Sequence, residues 1–455
     1  MNYHSIIAAQ QDFFNSNKTK DLSFRLAQLK KIKSLLKQNE EMLYEAIYKD
    51  FKKSAHETYL TELSQVYHEI DILLKKLKHW SKRKRVTHGL ANFPGKSFII
   101  PEPLGVTLVI GAWNYPYNLS LTPLVTAIGA GNTVVLKPSE IPTHTAHAMA
   151  TILNENFDPN FICVCEGGVA ETTALLEEKF DKIFFTGSTT VGKIVYQAAA
   201  KNLTPVTLEL GGKSPTFVLA DCHLKNTAKR IVWAKFLNAG QTCIAPDYVL
   251  VEKSIEKEFL SAVKEEIEAH YDQHKIEENY LQIINDQNYK RLLGLIDARN
   301  LYMGANTNAE DRFISPTVLQ NVTWDDPVMQ EEIFGPILPV LTFTDLQTAI
   351  DAVKARPKPL SCYIYSDNTV QIEKILNEVS FGGGAINDSI MHLTNSKLPF
   401  GGVGMSGMGA YHGETGFQSF SHYKSILKKT SWLELPVKYT PYTDSKKKII
   451  KWLMG

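Results

Sequence analysis

Hydrophobic residues in the first part of the chain recur with a helical period. Lysines separate apolar residues that stand three or four positions apart, at Leu22, Leu26, Leu29, Ile32 and Leu36. This spacing places the apolar side chains along one side of an amphipathic helix. It predicts helices from about Leu22 to Arg85, and we interpret the basic segment Lys82–Arg85 as a solvated helix end.

From residue 106 onward the pattern changes to short apolar runs, which are typical of buried strands. The runs are Val106–Ile110, Thr133–Leu136, Phe161–Cys165, Lys182–Phe185 and Val206–Leu210. Stretches long enough for a helix separate them, among them Ser120–Ala130, Thr143–Asn154 and Thr190–Ala200. Strands that alternate with helices in this way predict a parallel sheet with helices on both faces.

A second alternating region follows Gly211. Its pattern predicts a helix over Leu224–Leu237 and strands at Tyr248–Glu252 and Leu360–Tyr365. We therefore expect an α/β fold with two α/β domains that meet near Gly211–Gly212. A ligand cleft is expected between them, because small-molecule sites often lie at domain junctions.

Length and charge narrow the class of protein. A chain of 455 residues is too long for one compact core, so two or three domains are expected. Lys and Arg total 49 against 48 Asp and Glu, a net charge of +1 that gives no attraction for nucleic acid. A small-molecule substrate is the simpler expectation.

The cysteines indicate a reducing compartment. There are five, an odd and sparse set: Cys163, Cys165, Cys222, Cys243 and Cys362. Such thiols are typical of a cytoplasmic protein rather than of a disulfide framework. No secretory signal is visible at the amino terminus, and no apolar run approaches the roughly 20 residues that span a bilayer. We expect a cytoplasmic protein without a transmembrane segment.

Cys243 differs from the other cysteines in its local sequence. It lies in Asn238–Pro246, where small residues and a glycine precede it and a proline follows, so a tight turn after a helix is predicted. A loop of this kind suits an exposed reactive thiol. Cys163, Cys165 and Cys362 lie in apolar runs, and we interpret them as buried packing residues.

Glu209 supplies a carboxylate that could act with this thiol. It stands in the apolar run Val206–Leu210 and precedes Gly211 and Gly212, at the predicted domain junction. A carboxylate at the end of an apolar strand tends to have a raised pKa and can serve as a general base. No histidine lies in a motif that would activate the thiol, which disfavours a cysteine hydrolase.

Seven segments, in order along the chain, resemble the aldehyde dehydrogenase superfamily. The two that carry the chemistry are Leu208–Pro215 and Gly240–Cys243. The other five are Ala112–Pro116, Lys137–Glu140, Phe185–Thr189, Glu331–Pro336 and Leu398–Gly404. The short amino-terminal region and Gly404–Gly413 resemble the class 3 branch, which handles fatty, isoprenoid and aromatic aldehydes.

The resemblance implies a division into domains. Residues 1–81 and 101–210 would form the dinucleotide-binding domain with its amino-terminal helices, and residues 211–395 the catalytic domain. Residues 82–100 and 396–430 would form a small bridging and oligomerisation element, and residues 431–455 a carboxyl-terminal tail. A homodimer is expected, as is usual in this branch.

The resemblance also implies a covalent route from aldehyde to carboxylic acid. The Cys243 thiolate adds to the carbonyl carbon, and the Asn114 amide and the Cys243 backbone N–H donate to the oxyanion. Hydride transfer leaves a thioester, which water activated by Glu209 hydrolyses. Asn114 also fits a simple turn role, because Asn-Tyr-Pro is a good turn sequence. No metal site is predicted.

The phosphate site is expected where a predicted strand leads into a helix. This segment comprises Gly187, Ser188, Thr189, Thr190, Val191 and Gly192, and its backbone N–H groups can face the pyrophosphate. Ser188 and Thr189 also suit a helix N-cap, and the two interpretations are compatible. Gly402–Gly407 fits the spacing G-x-G-x-x-G but follows no apolar strand, so we reject it as a phosphate site.

The remaining cofactor contacts follow from the resemblance alone. They place Lys137 and Glu140 on the adenosine ribose, Glu332 and Phe334 on the nicotinamide ribose, and Trp113 and Phe400 along the pocket. A carboxylate at position 140 should repel a 2′-phosphate. NAD is therefore favoured as the cofactor, although class 3 relatives often accept NADP as well.

The carboxyl-terminal tail leaves two interpretations open. Lys446–Met454 alternates basic and apolar residues. It can form an amphipathic helix that gates a substrate tunnel or makes weak contact with a membrane surface. The favoured interpretation is a helix packed on a partner subunit or frayed in solvent.

Two other functions are alternatives. A coenzyme A-acylating relative would resolve the thioester by thiolysis and would not need Glu209. A non-catalytic binding protein on the same fold would have no need of Cys243, Glu209 and Asn114 together.

Overall fold

The computed structural model describes residues 2–271 and 280–454. Its α-helices are α1 (Tyr3–Asn15), α2 (Leu22–Gln38), α3 (Glu40–Phe51), α4 (Ala55–Thr58), α5 (Ser64–Trp80), α6 (Pro116–Ala130), α7 (Thr143–Asn156), α8 (Val169–Glu177), α9 (Thr189–Lys201), α10 (Leu224–Phe236), α11 (Glu256–His270), α12 (Asp286–Leu293), α13 (Leu346–Lys354), α14 (Thr369–Glu378), α15 (Gly413–Ser419) and α16 (Asp444–Met454). A π-helical turn, Tyr59–Leu63, joins α4 to α5.

The strands are shorter than most of the helices. They are β1 (Lys84–Val86), β2 (Gly95–Pro103), β3 (Val106–Ile110), β4 (Thr133–Lys137), β5 (Ile162–Val164), β6 (Lys182–Thr186), β7 (Val206–Glu209), β8 (Pro215–Val218), β9 (Tyr248–Glu252), β10 (Leu301–Met303), β11 (Thr307–Asn308), β12 (Phe313–Ile314), β13 (Thr317–Leu319), β14 (Ile337–Phe343), β15 (Ser361–Tyr365), β16 (Gly383–Ile386), β17 (Gly407–Met408) and β18 (Ser421–Lys429).

Two large sheets organise the described residues. The first has the order β17-β7-β6-β3-β4-β5 and is parallel except for the edge strand β17. The second has the order β10-β13-β14-β9-β8-β15-β16 and is parallel except for the edge strand β10. The predicted α/β fold with two parallel sheets is confirmed. The chain passes from the first sheet to the second between Glu209 and Pro215.

A smaller antiparallel sheet combines β1, β2 and β18, which come from distant parts of the chain. The prediction of helix as far as Arg85 is wrong in its last part, because α5 ends at Trp80 and Lys84–Val86 is strand β1. Lys84 pairs with Ile99 and Val86 pairs with Ser97. Pairing with β2 therefore determines the conformation of this basic segment, and no local period reveals it.

Buried strands and capped helices explain most of the agreement between pattern and structure. Every residue of β3, β4 and β6 is buried, since helices cover both faces of the first sheet. Helix α9 begins after Ser188, whose hydroxyl accepts a bond of 3.3 Å from the Val191 N–H. Helix α6 has Pro116 at its first position and ends at Gly131, which has a φ of +101°.

The amino-terminal helices pack onto the first sheet. Leu29, Ile32 and Leu36 are buried on the side of α2 that the hydrophobic period identified. Helix α1, which the pattern did not predict, is held by Gln10, whose amide donates to the carbonyls of Val134 and Pro159, both at 3.0 Å. Across residues 2–271 and 280–454, no helix is both long and apolar enough to cross a membrane.

Candidate active site

An apolar cavity lies where the chain passes from the first sheet to the second. Its volume is about 240 Å³, and Glu209, at the end of β7, and Cys243 both line it. Most of the other lining side chains are apolar, among them Leu60, Leu119, Trp233, Leu237, Ile244, Leu360, Ile390, Leu393, Phe400 and Tyr411. The fold thus brings together the thiol and the carboxylate that the sequence singled out.

The backbone takes an unusual path between α10 and the thiol. Asn238, Ala239 and Gly240 all have left-handed conformations, with φ values of +55°, +50° and +70°. A Cβ at position 240 would lie only 2.2 Å from the Gly335 carbonyl oxygen, so only glycine fits there. These three residues turn the chain away from the axis of α10 and lead it to the cavity.

Cys243 follows in a tight turn, as predicted. The Ala245 N–H donates to the Thr242 carbonyl oxygen over 3.0 Å and closes the turn. The backbone N–H groups of Cys243 and Ile244 donate toward the sulfur and stabilise its charged form. The turn therefore places backbone donors beside the sulfur. An oxyanion on a substrate bound to this sulfur would form close to them.

Two side chains that sequence reasoning missed hold this loop. The Asn238 amide donates to the carbonyls of Asn114 and Gln241, at 3.0 and 3.1 Å. The Gln241 amide donates to the carbonyls of Asn238 and Gln282, both at 3.2 Å, and its side-chain oxygen accepts from the Ile284 N–H. The only local signal was the Asn-Ala-Gly sequence, which is compatible with left-handed backbone.

The Cys243 thiol is less accessible than a loop position suggested. It is half-buried, and its pKa is raised to about 12, chiefly by burial. The carboxyl groups of Glu332 and Glu209 contribute smaller parts of this rise, because a nearby negative charge disfavours a thiolate. The expectation of an exposed reactive thiol is therefore wrong in its exposure: the sulfur is half-buried and faces an apolar cavity that Glu209 also lines.

Glu209 has the environment that a raised pKa requires. Its side chain is 2% exposed, and burial raises its pKa well above the ordinary value. Neither carboxyl oxygen has a hydrogen-bond partner among the described residues. Such a group in an apolar site can hold a proton at neutral pH and bind a water molecule through its free oxygens.

Asn114 lies beside the loop but does not line the cavity. Its side-chain amide donates to the Gln241 carbonyl oxygen over 3.0 Å, two residues before the thiol. An amide nitrogen carries two hydrogens, so this bond uses one and leaves one. The structure places Asn114 close enough to hold the loop, and its role toward an oxyanion stays a prediction.

Glu332 lies against the junction between the two sheets. A Cβ at Gly211 would lie 2.2 Å from one of its carboxyl oxygens, so the absence of a side chain there makes room for this carboxylate. Burial, followed by the charge of Asp247, raises the pKa of Glu332 to about 8. Its Oε1 is buried without a partner among the described residues. A ribose hydroxyl would supply the donor that this oxygen lacks, so the site fits a nicotinamide ribose.

Lys137 and Glu140 form the other proposed ribose site. The Lys137 side chain is buried, its ammonium donates to the Pro138 carbonyl oxygen over 2.7 Å, and it lies 3.9 Å from the Glu140 carboxylate. Burial lowers the pKa of Lys137. The Glu140 side chain is 46% exposed, so its carboxylate can meet a sugar from solvent.

The segment Gly187–Gly192 spans the end of β6 and the first turn of α9. Ser188 caps the helix, as described above, and the Thr189 hydroxyl donates to the Met405 carbonyl oxygen over 3.1 Å. Val191 and Ile194 stand three positions apart on one exposed face of α9. Helix N-terminal N–H groups beside an exposed apolar face suit a pyrophosphate and an adenine ring. The proposed phosphate role of this segment stays a prediction.

The three aromatic residues that the sequence analysis placed in the site, Trp113, Phe334 and Phe400, lie in different positions. The rings of Trp113 and Phe334 pack edge to face, with centroids 5.2 Å apart, and neither lines the cavity. Phe400 lines the cavity and contacts Tyr411, with centroids 5.8 Å apart. Tyr115, which sequence reasoning did not select, lines the cavity and shares a hydrogen bond of 2.6 Å with the Thr242 hydroxyl. Its position directly after Asn114 was the available signal.

Known proteins resemble this chain over most of its length. A sequence model described as the aldehyde dehydrogenase family matches residues 1–426. The 4,4'-diaponeurosporen-aldehyde dehydrogenase of Staphylococcus aureus is 48% identical and covers 94% of this chain, which covers 94% of that relative. The dimeric NADP-preferring aldehyde dehydrogenase of Mus musculus is 46% identical, also with 94% of each chain covered. The substrate-bound state of Staphylococcus aureus AldH superimposes with a TM-score of 0.98, at 46% identity over 100% of both chains.

Proposed function

The chain belongs to the aldehyde dehydrogenase family and oxidises an aldehyde to a carboxylic acid with NAD or NADP, and we propose that it does so through a covalent intermediate on Cys243. One observation carries this proposal: the Cys243 thiol and the Glu209 carboxyl group line the same apolar cavity. A thiol there can bond to a carbonyl carbon, and a carboxylate can accept a proton from the water that hydrolyses the resulting thioester.

The first step forms a bond between the Cys243 sulfur and the aldehyde carbon. The thiol proton passes to solvent water, and the carbonyl electron pair moves onto oxygen. The backbone N–H of Cys243 and the second N–H of the Asn114 amide donate to this oxyanion. Removing one such donor typically costs about 3 kcal/mol of transition-state stabilisation.

The bound nicotinamide ring supplies a two-electron acceptor for the hydrogen of the former aldehyde carbon. What remains on Cys243 is a thioester. Glu209 takes a proton from water, the water oxygen bonds to the acyl carbon, and the carbon–sulfur bond breaks. Glu209 then returns this proton to the departing sulfur, so the products are the carboxylic acid and the free thiol of Cys243, and the Glu209 carboxylate is restored. The buried carboxylate supports hydrolysis over thiolysis by coenzyme A, since thiolysis would not need it.

We propose NAD as the preferred acceptor. Glu332 and Phe334 would hold the nicotinamide ribose, and the first turn of α9 the pyrophosphate, with Trp113 packed against Phe334. Lys137 and Glu140 would bind the adenosine ribose. The half-exposed Glu140 carboxylate would accept bonds from both ribose hydroxyls and repel a 2′-phosphate.

The substrate is proposed to be a long apolar aldehyde of the fatty, isoprenoid or aromatic class. The cavity wall is mainly apolar and includes Leu60 and Phe400. A wall of this kind stabilises an alkyl or polyene chain by burying its surface. The similarity to the 4,4'-diaponeurosporen-aldehyde dehydrogenase of Staphylococcus aureus supports an isoprenoid chain in particular.

The division into domains and the dimer are proposals as well. Residues 1–81 with 101–210 would form one α/β domain, and residues 211–395 would form the other, each with one large sheet.

The edge strand β18 of the small sheet exposes Tyr423 and Leu427. The unpaired backbone groups of an edge strand are usually covered by other parts of a protein or by a partner. We propose that a second copy covers it, and that it also covers the exposed Trp452 of α16 in preference to a membrane surface. A cytoplasmic location is proposed from the five cysteines, none of which forms a disulfide.

The replacement Glu209→Gln tests the covalent route. The amide cannot accept a proton, so the first turnover should release one equivalent of NADH per active site and hydrolysis should then stall. Rapid-mixing absorbance at the NADH band measures the burst, and mass spectrometry of the quenched protein detects the acyl group on Cys243. Equal steady-state rates for Glu209→Gln and the parent would contradict the role of Glu209. Product that requires added coenzyme A would instead support the acylating alternative.

A further inference from the structure

The amino-terminal helices contain a cluster of three charged residues that the reaction scheme does not use. Lys53 follows α3, Glu57 lies in α4, and Glu62 lies in the π-helical turn. The side chains of Lys53 and Glu62 are 0% exposed, and the ammonium lies 2.7 Å from one carboxyl oxygen. Burying an ion pair is costly, so a hydrophobic pair would often be at least as stable at such a place. The contacts of these three residues with α6 and with the loop that carries Cys243 indicate a second role.

Glu62 anchors the first turn of α6. Its second carboxyl oxygen accepts from the backbone N–H groups of Tyr117 and Asn118, at 2.8 and 3.3 Å. A carboxylate at a helix N-terminus satisfies donors that the helix leaves unpaired and interacts favourably with its dipole. The ion pair therefore fixes the segment that immediately follows Asn114 and Tyr115.

The π-helical turn explains how Glu62 reaches this place. Ala55–Trp80 is continuous helix in which Tyr59–Leu63 has the wider π geometry. A π turn adds one residue to a helical turn and rotates the side chains that follow, and such turns are often found at functional sites. Here it places Glu62 against α6 while Leu60 and Thr61 line the cavity.

Lys53 reaches the catalytic loop through Tyr115. Its ammonium lies 4.3 Å from the centre of the Tyr115 ring, within the range of a cation–π contact. The hydroxyl of that ring shares the 2.6 Å hydrogen bond with Thr242, the residue directly before Cys243. The contacts therefore run from the buried ammonium to the turn that holds the thiol.

Glu57 reaches the same loop from its other end. One oxygen of its carboxylate accepts from the Asn238 backbone N–H over 2.8 Å. Asn238 is the first of the three left-handed residues, and its side chain also binds the Gln241 carbonyl. A conformation that costs energy locally persists only where surrounding contacts hold it. Glu57 supplies one such contact at the point where the chain leaves α10.

We infer that Lys53, Glu57 and Glu62 are positioning residues for the nucleophile: Glu57 fixes the start of the Cys243 loop at Asn238, and the Lys53–Glu62 pair fixes its other end through Tyr115 and Thr242. The inference rests on the proposed role of Cys243. Because a displacement of about 1 Å can cost about 10²-fold in rate, these contacts matter for catalysis more than for binding.

Paired replacements at Glu57 test the inference. Glu57→Leu removes the acceptor for the Asn238 N–H, whereas Glu57→Gln keeps an oxygen in its place. We expect kcat to fall about 10²-fold in Glu57→Leu, with the KM for NAD changed less than about twofold, and to recover to within about fivefold of the parent in Glu57→Gln. The double variant Lys53→Met/Glu62→Gln keeps an acceptor for α6 but removes the cation beneath Tyr115, and its kcat should fall with the KM for NAD unchanged.

Alkylation of Cys243 gives a second measurement that does not depend on turnover. Freeing the loop relieves burial of the thiol, so iodoacetamide should modify Cys243 faster in Glu57→Leu, by about tenfold if the pKa falls by one unit. Lower global stability also exposes a buried thiol, so the comparison requires a variant that loses stability elsewhere in the molecule. Gln10→Leu is the matched control: it removes a buried side-chain bond in α1 far from the loop, and should lower the melting temperature without changing either quantity.

Three results would overturn the inference. They are a kcat for Glu57→Leu within threefold of the parent, equal losses in Glu57→Leu and Glu57→Gln, or an equal rise in alkylation in Gln10→Leu at a matched distance below its melting temperature. Failure of the proposed function would look different. In that case the parent itself would form no acid, or Cys243→Ala would keep the activity, while the alkylation rates would still report whether Glu57 holds the loop.

Discussion

The ionisation of Cys243 without cofactor offers a direct test of the site geometry. Burial and then the carboxyl groups of Glu332 and Glu209 raise the thiol pKa to about 12. At neutral pH the thiolate fraction would then be on the order of 10⁻⁵, about three orders of magnitude below that of a free cysteine. Since only the thiolate reacts with iodoacetamide, alkylation should be slow and should rise by at most about tenfold per pH unit.

The assay follows the mass of the peptide that contains Cys243 after timed alkylation without cofactor. Between about pH 7 and about pH 10 the rate should keep rising without a plateau, because the whole range lies below the pKa of the thiol, and the rise should be less steep near pH 8, where Glu332 becomes charged. Cys243→Ala corrects for modification at other sites. A plateau with a midpoint at or below about pH 9 would refute the reasoning, because it would mean that neither burial nor the carboxyl groups act on the sulfur.

Glu332→Gln separates the charge effect from burial. The pKa of Glu332 is raised to about 8, so its carboxyl group is neutral below that pH and repels a thiolate only above it. The variant and the parent should therefore react at the same rate below about pH 8, and the variant should react faster above it. A constant ratio across the whole range would contradict an electrostatic effect of Glu332 and indicate a change in loop structure instead.

Other replacements test the remaining roles. Cys243→Ala should produce no NADH, while isothermal titration still detects dinucleotide binding; turnover by this variant would exclude Cys243 as nucleophile. Glu140→Gln should raise the kcat/KM ratio of NADP to NAD about threefold, a modest effect because the carboxylate is half-exposed. An unchanged ratio would contradict repulsion of the 2′-phosphate. Gly211→Ala places a methyl group against the Glu332 carboxylate and should raise the KM for NAD about tenfold, equal to about 1.4 kcal/mol, with little change in melting temperature. A KM equal to that of the parent would show that Glu332 does not hold the ribose.

Local sequence predicted the first sheet well, for a physical reason. A strand buried on both faces is mostly apolar, so β3 and β6 are visible as apolar runs that contain few polar residues, and Val106–Ile110 has the same limits in pattern and structure. Strand β1 shows the opposite case. Its residues Lys84–Val86 are all exposed, and nothing but the backbone bonds to β2 makes them a strand. A strand that forms only because a distant segment pairs with it cannot be recognised from its own few residues.

The candidate site shows the same division. Cys243 and Glu209 could be selected because glycines and apolar neighbours mark their positions, and the structure lines one cavity with both. The partner of Asn114 could not be foreseen, since its bond to the Gln241 carbonyl joins two segments that only the tertiary fold brings together. The position of Glu332 against Gly211 depends on a similar approach of distant segments. The residue types were enough to predict the reaction. The positions of the side chains depend on contacts between segments that are distant in the sequence.

The path of the chain before the thiol shows why distant contacts have such weight. Gly240 adopts a left-handed conformation without cost and Asn238 tolerates one, but Ala239 does so at a cost on the order of 1 kcal/mol. Three successive left-handed residues are not favoured by local preference alone, so contacts from outside the segment are needed to hold them. The bonds that Asn238 makes, to Glu57 and to the Gln241 carbonyl, offset the cost and hold the turn. The orientation of the nucleophile is therefore set outside the loop, so a replacement in an amino-terminal helix can lower the rate of a reaction whose atoms it never touches.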